Sequence, residues 1–156
     1  MSEIAHTLEY IKSNTSGRIL SVDFGDTRTG LAVSDISRFL ASGLGYVSPG
    51  GIVKTADAVA AKAKELGVVA IVVGLPVNMN GTEGPRAARC REFAELLGER
   101  LPDIAIGMID ERLTTMEASR YLNATDTRGK KRKGVIDSLS AEIMLQNTLD
   151  KLKMMK

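Results

Sequence analysis

The chain has 156 residues, 44% apolar and 26% charged, enough for one folded domain with a core and too few for two. One cysteine (Cys90) and one histidine (His6) exclude a disulfide framework, a structural zinc site and Ser-His-Asp or Cys-His chemistry, and the net charge of +2 is too small to name a partner. Sparse aromatics (no Trp, three Phe, three Tyr) argue against recognition on stacked aromatic platforms, and no apolar run approaches the ~20 residues that span a bilayer.

Ile4, Leu8 and Ile11 at helical spacing predict a short helix within residues 1–17, a peripheral extension without the form of a signal peptide. A cytoplasmic location is therefore expected. Residues 18–24 and 30–34 are two apolar runs joined by a polar turn that Gly25 and Gly30 flank, which predicts a β-hairpin. The first run ends in Asp23, a carboxylate delivered to the edge of a buried sheet. Ala41, Leu44, Tyr46 and Val47 suggest a third strand before the turn Pro49-Gly50-Gly51. Ala56, Val59, Ala60, Ala63 and Leu66 mark one face of a helix over residues 55–66, with Gly67 as its C-terminal cap. The β-branched run 68–73 reads as a central strand buried on both faces, ending in Gly74-Leu75-Pro76.

Pro85 opens a helix to about Arg100, with Ala87, Cys90, Ala94 and Leu97 as its apolar stripe. Arg86, Arg89, Arg91 and Arg100 decorate its other sides and read as mainly solubilising. Residues 103–109 form a further strand running into Asp110-Glu111-Arg112. Thr114 and Glu117 make a capping box for a helix to about residue 122. Residues 123–134 read as a basic loop with Arg128, Lys130, Lys131, Arg132 and Lys133 beside Gly129 and Gly134. A last helix over about 135–151 carries Asp137 in its first turn. The order β-β-β-α-β-α-β-α-α predicts a single α/β domain over residues 1–156, a five-stranded mixed sheet flanked by helices.

Three acidic positions stand out: Asp23 ends the first strand, Asp110-Glu111 end the last, and Asp137 begins the last helix. Groups at the carboxyl ends of strands in an open α/β sheet converge on one crevice. Singly, each acid has an ordinary use in a turn, an ion pair or a helix terminus. Together they are the hard oxygen ligands a Mg²⁺ or Mn²⁺ site requires, and without a cation they would repel one another. A basic run is usually a solvated face, but here it lies beside the helix carrying Asp137, where it can engage a phosphate backbone.

Four stretches carry a family likeness. They are Asp23-Phe24-Gly25 with Gly30-Leu31-Ala32-Val33-Ser34-Asp35; Val73-Gly74-Leu75-Pro76-Val77-Asn78-Met79-Asn80-Gly81-Thr82-Glu83; Asp110-Glu111-Arg112-Leu113-Thr114-Thr115; and Lys131-Arg132-Lys133-Gly134-Val135-Ile136-Asp137-Ser138. In this order they resemble the YqgF/RuvX family, also called pre-16S rRNA nuclease or Holliday-junction-resolvase-like, over about residues 18–150. The resemblance implies an RNase H-like fold and a nuclease dependent on Mg²⁺ or Mn²⁺, associated with 5′-end maturation of 16S ribosomal RNA. It implies catalytic roles for Asp23, Glu111 and Asp137, with Asp110 the alternative to Glu111 as metal ligand. Asp23 would bridge two ions. Asn78 would position substrate, and Lys130, Lys131, Arg132 and Lys133 would contact phosphates. The implied partner is structured RNA, the 16S precursor, with branched DNA second and no membrane, and the protein would be a monomer or homodimer. A Holliday-junction resolvase and a non-catalytic nucleic-acid-binding module are the alternative readings.

Overall fold

The sheet is built from a hairpin on one side and two parallel strands on the other. A computed structural model describes residues 8–110 and 129–155, with the backbone alone over 129–138. In chain order the elements are α1 (Leu8–Asn14), β1 (Ile19–Asp23), β2 (Thr29–Ser34), β3 (Ala41–Val47), α2 (Ile52–Leu66), β4 (Ala70–Leu75), α3 (Pro85–Arg100), β5 (Ala105–Asp110) and α4 (Gly129–Met154). The strand order is β3-β2-β1-β4-β5. β1, β2 and β3 pair antiparallel, whereas β4 runs parallel to both β1 and β5. This is the mixed five-stranded sheet that the order of runs predicts.

Each sheet face has its own core. Leu20, Val22, Leu31, Ile71, Val73 and Ile106 pack under α2 and α3 against Val59, Phe93 and Leu97. Phe24 stacks on Phe93 with ring centroids 4.6 Å apart. Cys90 is buried in this core, as its place on the stripe predicts. The other face is lined by Ile19, Ala32, Ala70, Val72 and Ala105, and α4 lies across it with Ala141, Leu145 and Leu149. Three alanines in that floor let the helix sit close to the strands. The expected peripheral extension is tied down where it is described: Ile11 is fully buried in the α4-side core and Lys12 Nζ donates to Leu152 O at 2.6 Å.

Several boundaries moved: α2 begins at Ile52 instead of residue 55, and β5 spans Ala105–Asp110 instead of residues 103–109. β4 begins at Ala70 because Val68 still serves α2: Gly67 turns left-handed (φ 67°), its N–H bonding Lys64 O and that of Val68 bonding Ala63 O. The basic segment is corrected more substantially. α4 starts at Gly129, so residues 130–133 form helical turns instead of a loop, and Asp137 lies in the third turn instead of the first. Lysine and arginine are good helix formers, and Gly134 costs a helix only about 1 kcal/mol against alanine. The packed remainder of α4 outweighs that cost. The expected helix from Thr114, its capping partner Glu117, and Arg128 lie outside the described residues. No helix among the described residues is long and apolar enough to cross a membrane.

Candidate active site

Asp23 is the last residue of β1 and pairs with Gly30 of β2. Side chains alternate along a strand, so Asp23 shares a face with Ser21 and Ile19. Ile19 belongs to the α4-side core and Ser21 Oγ donates to Ala141 O at 2.7 Å, so this is the face α4 covers. The helix runs antiparallel to β1. Ala141 lies at Ser21, whereas Gln146 Oε1 accepts from Ala41 N, level with the start of β1, and Leu152 meets Lys12 in α1. The early turns of α4 therefore extend toward the Asp23 end. Asp137 lies four residues of helix, about 6 Å, before Ala141. Asp23 lies two strand residues, about 6.6 Å, beyond Ser21. One buried hydrogen bond thus fixes the strand end carrying one acid against the helix carrying the other.

Asp110 lies on the opposite face. Val22 pairs with Val73, Gly74 with Ile109 and Leu75 with Asp110, so the row containing Asp23 continues through Gly74 to Ile109. Ile109 and Ala105 pack on the α4 side, Ile106 and Met108 on the α2/α3 side, and alternation puts Asp110 with the latter pair. Asp110 is exposed at the strand end. Glu111 lies outside the described residues. Among the described residues no three His, Cys, Asp or Glu side chains come together.

The turn after Asp23 is held from several directions. A Cβ on Gly25 would run into the carbonyl oxygen of Arg28, so the close approach requires glycine. Buried Thr29 closes the turn: its Oγ1 accepts from Gly25 N and donates to Gly25 O, both at 3.3 Å. Ser48 Oγ donates to Thr27 O at 2.6 Å. Arg86 Nη2 donates to Phe24 O at 3.1 Å, and Arg89 lies 3.6 Å from Asp26. Arginines that the sequence reads as solubilising therefore tie α3 to the loop beside Asp23. No short-range pattern announces these contacts, because Arg86 and Phe24 are 62 residues apart.

Asn78 builds the loop after β4. Its N–H donates to Thr82 O, its carbonyl accepts from Gly81 N (both 2.8 Å), and its Nδ2 donates to Thr82 Oγ1 at 2.9 Å. Glu83 closes that loop onto α3 through a two-pronged ion pair with Arg91, at 2.9 and 2.8 Å. Hydrogen bonding to Arg91 holds the Glu83 carboxyl below the usual carboxylate range, and the pair raises the Arg91 guanidinium in turn. The backbone of Lys130, Lys131, Arg132 and Lys133 precedes Asp137 on the same helix.

A hairpin feeding two parallel strands, with helices on both faces and an acid closing the first strand, defines an RNase H-like α/β domain. Its fold is that of Thermus thermophilus RuvC, solved with a Holliday junction substrate: the TM-score is 0.56 at 10% identity, covering 90% of this chain and 98% of that one. The chain belongs to the RuvX family, whose model, described as a Holliday junction resolvase, matches residues 17–151. It is 40% identical over 136 residues to a Ruminiclostridium cellulolyticum protein named "Putative pre-16S rRNA nuclease", covering 86% of this chain and 95% of the relative. Relatives of the same name in Ligilactobacillus salivarius (44% identical; 86% and 92% covered) and Caldanaerobacter subterraneus (42%; 87% and 98%) match over similar lengths. The likeness read from the four motifs is thus borne out at the level of the family.

Proposed function

We propose that this chain is a metal-dependent nuclease that hydrolyses phosphodiester bonds in structured RNA and acts, in the cytoplasm, in 5′-end maturation of the 16S ribosomal RNA precursor. One observation carries the reading: the Ser21–Ala141 bond sets the strand end bearing Asp23 against the early turns of α4, which bear Asp137. The names of the relatives support the substrate. The donor chemistry fits Mg²⁺ or Mn²⁺, since carboxylate oxygens are the ligands such ions take. Asp23, Asp137 and Glu111 would hold the ions, with Asp110 the alternative to Glu111. Asp110 falls on the α2/α3 side, which counts against it as the ligand beside Asp23.

When bound, the ions would make a water nucleophilic at neutral pH and neutralise the leaving oxygen. The part played by the chain is to hold the acids at fixed spacing and the phosphate backbone beside them. Lys130, Lys131, Arg132 and Lys133 would contact phosphates from the first turns of α4, and Asn78 would hold the loop against which substrate lies.

The test is cleavage of matched RNA, DNA and four-way-junction substrates with Mg²⁺ or Mn²⁺, wild type beside Asp23→Asn and Asp137→Asn. RNA cleavage should fall by about two orders of magnitude or more in each variant, with circular dichroism unchanged. An Asp23→Asn protein cutting at the wild-type rate would show the site to be wrong. Cleavage of the junction but not of RNA would favour the resolvase reading that the family description carries. RNA binding with neither cleavage nor Mn²⁺ affinity would mark a non-catalytic binding module.

A further inference from the structure

The row across the sheet that contains Asp23 continues on its other side. Asp23 pairs with Gly30, and Gly30 with Tyr46 of the edge strand β3. The three residues share the α4-side face: their neighbours Ala32 and Ala41 pack into the α4-side core, whereas Val47 packs into the other. The middle position is a buried glycine, so no side chain of this row stands between the carboxylate and the phenol ring. Two antiparallel spacings make that separation about 10 Å between Cα atoms. This is within the reach of a nucleotide flanking a phosphate held at Asp23.

Tyr46 is half-exposed, at 47%, and Arg28 sets its guanidinium 5.3 Å from the ring centroid. The ring is aimed by an irregularity in the ladder. Between the pairs Gly30–Tyr46 and Ala32–Gly43, Leu44 and Gly45 stand opposite Leu31 alone, and Gly45 takes φ 81°. Such a bulge re-aims the following side chain, here next to the candidate active site. Arg28 itself lies in the turn after Asp23 that Thr29 closes.

The sparse aromatics argue against a row of stacking rings, but one ring suffices for one base: we propose that Tyr46 and Arg28 form a stacking platform for one unpaired nucleobase of the substrate, the base flanking the phosphate at Asp23. Bases stack on aromatic rings and on guanidinium planes alike, and the arrangement supplies both. It selects an unpaired nucleotide at the cut, because a base held in a duplex cannot turn onto the ring. The proposal rests on the nuclease reading of the Asp23 site and adds what that site takes.

The test separates stacking from simple covering of Gly30 by a large side chain. The probe is an RNA hairpin with 2-aminopurine at the unpaired position flanking the cut, bound to Asp23→Asn protein in EDTA. Binding should quench the probe. Adding Tyr46→Leu, which keeps apolar cover without a π-face, should abolish quenching and raise Kd about tenfold, whereas Tyr46→Phe should retain both. In otherwise wild-type protein, Tyr46→Leu should raise KM by a similar factor with kcat nearly unchanged. Unchanged quenching and Kd in the Tyr46→Leu protein would overturn the platform. The probe is read without metal or cleavage, so an error in the catalytic assignment of Asp23 does not silence it; that error would show as persistent cutting by Asp23→Asn.

Discussion

Ser21→Ala isolates the contact on which the geometry of the candidate site depends. The serine is fully buried and its hydroxyl donates to Ala141 O at 2.7 Å, across 120 residues of sequence. Alanine keeps the Cβ and removes only the oxygen, so no cavity of consequence opens. The Ala141 carbonyl retains its helical partner four residues on, and no buried acceptor is orphaned. What is lost is one net hydrogen bond, about 1 kcal/mol. For a chain of this size that lowers Tm by about 2–4 °C. The functional loss should exceed the stability loss, because the same bond sets α4 over the strand end bearing Asp23. The Mn²⁺ concentration for half-maximal cleavage should rise several-fold at temperatures where the variant remains folded. Thermal unfolding and a Mn²⁺ titration of RNA cleavage measure the two effects. Wild-type Mn²⁺ dependence despite the expected drop in Tm would show that this bond does not position α4 for catalysis.

Gly25→Ala should cost about 1–3 kcal/mol, because the new methyl meets the Arg28 carbonyl, backbone that moves only if the turn opens. Urea unfolding would read the loss, cleavage should fall with it, and wild-type stability would contradict the close approach. Asp35 gives a pH signature. Its carboxylate accepts from Leu40 N at 3.0 Å and Phe39 N at 2.8 Å, and these bonds, that from Leu40 foremost, hold its pKa below the ordinary value. A depressed folded pKa contributes stability above the unfolded value of about 3.9 and loses it as pH falls through the folded value. The Tm difference between wild type and Asp35→Asn should therefore be present at pH 6 and shrink below about pH 4. An equal difference at pH 3 would refute the assignment.

What the sequence discloses and what it withholds divide along a physical line. Pro85, the stripe through Cys90 and Leu97, and Arg100 place α3 at its observed limits, and Gly67 caps α2 in the left-handed conformation. These are local signals, each carried by a residue whose backbone preference acts within one turn. Asp23 is legible for the same reason, as a carboxylate closing an apolar run before a glycine turn. The side of the sheet on which Asp110 falls is not local: it follows only from counting the ladder across β4. Ser21 reads as an unremarkable strand serine until α4 lies over it, and Arg86 as a surface charge until Phe24 presents its carbonyl. The basic segment misled because glycines at 129 and 134 look like loop punctuation, while the helix they interrupt is held by packing further along.

That α4 is continuous from Gly129 has a consequence for heredity. A loop between Lys133 and Asp137 would absorb the gain or loss of a residue by changing its path. A helix cannot. One residue added between them would turn the basic end against the acid by about 100° and shift it by about 1.5 Å. Substitution in residues 134–136 leaves that phase intact. Descendants of this chain are therefore free to respell the short stretch but not to lengthen or shorten it.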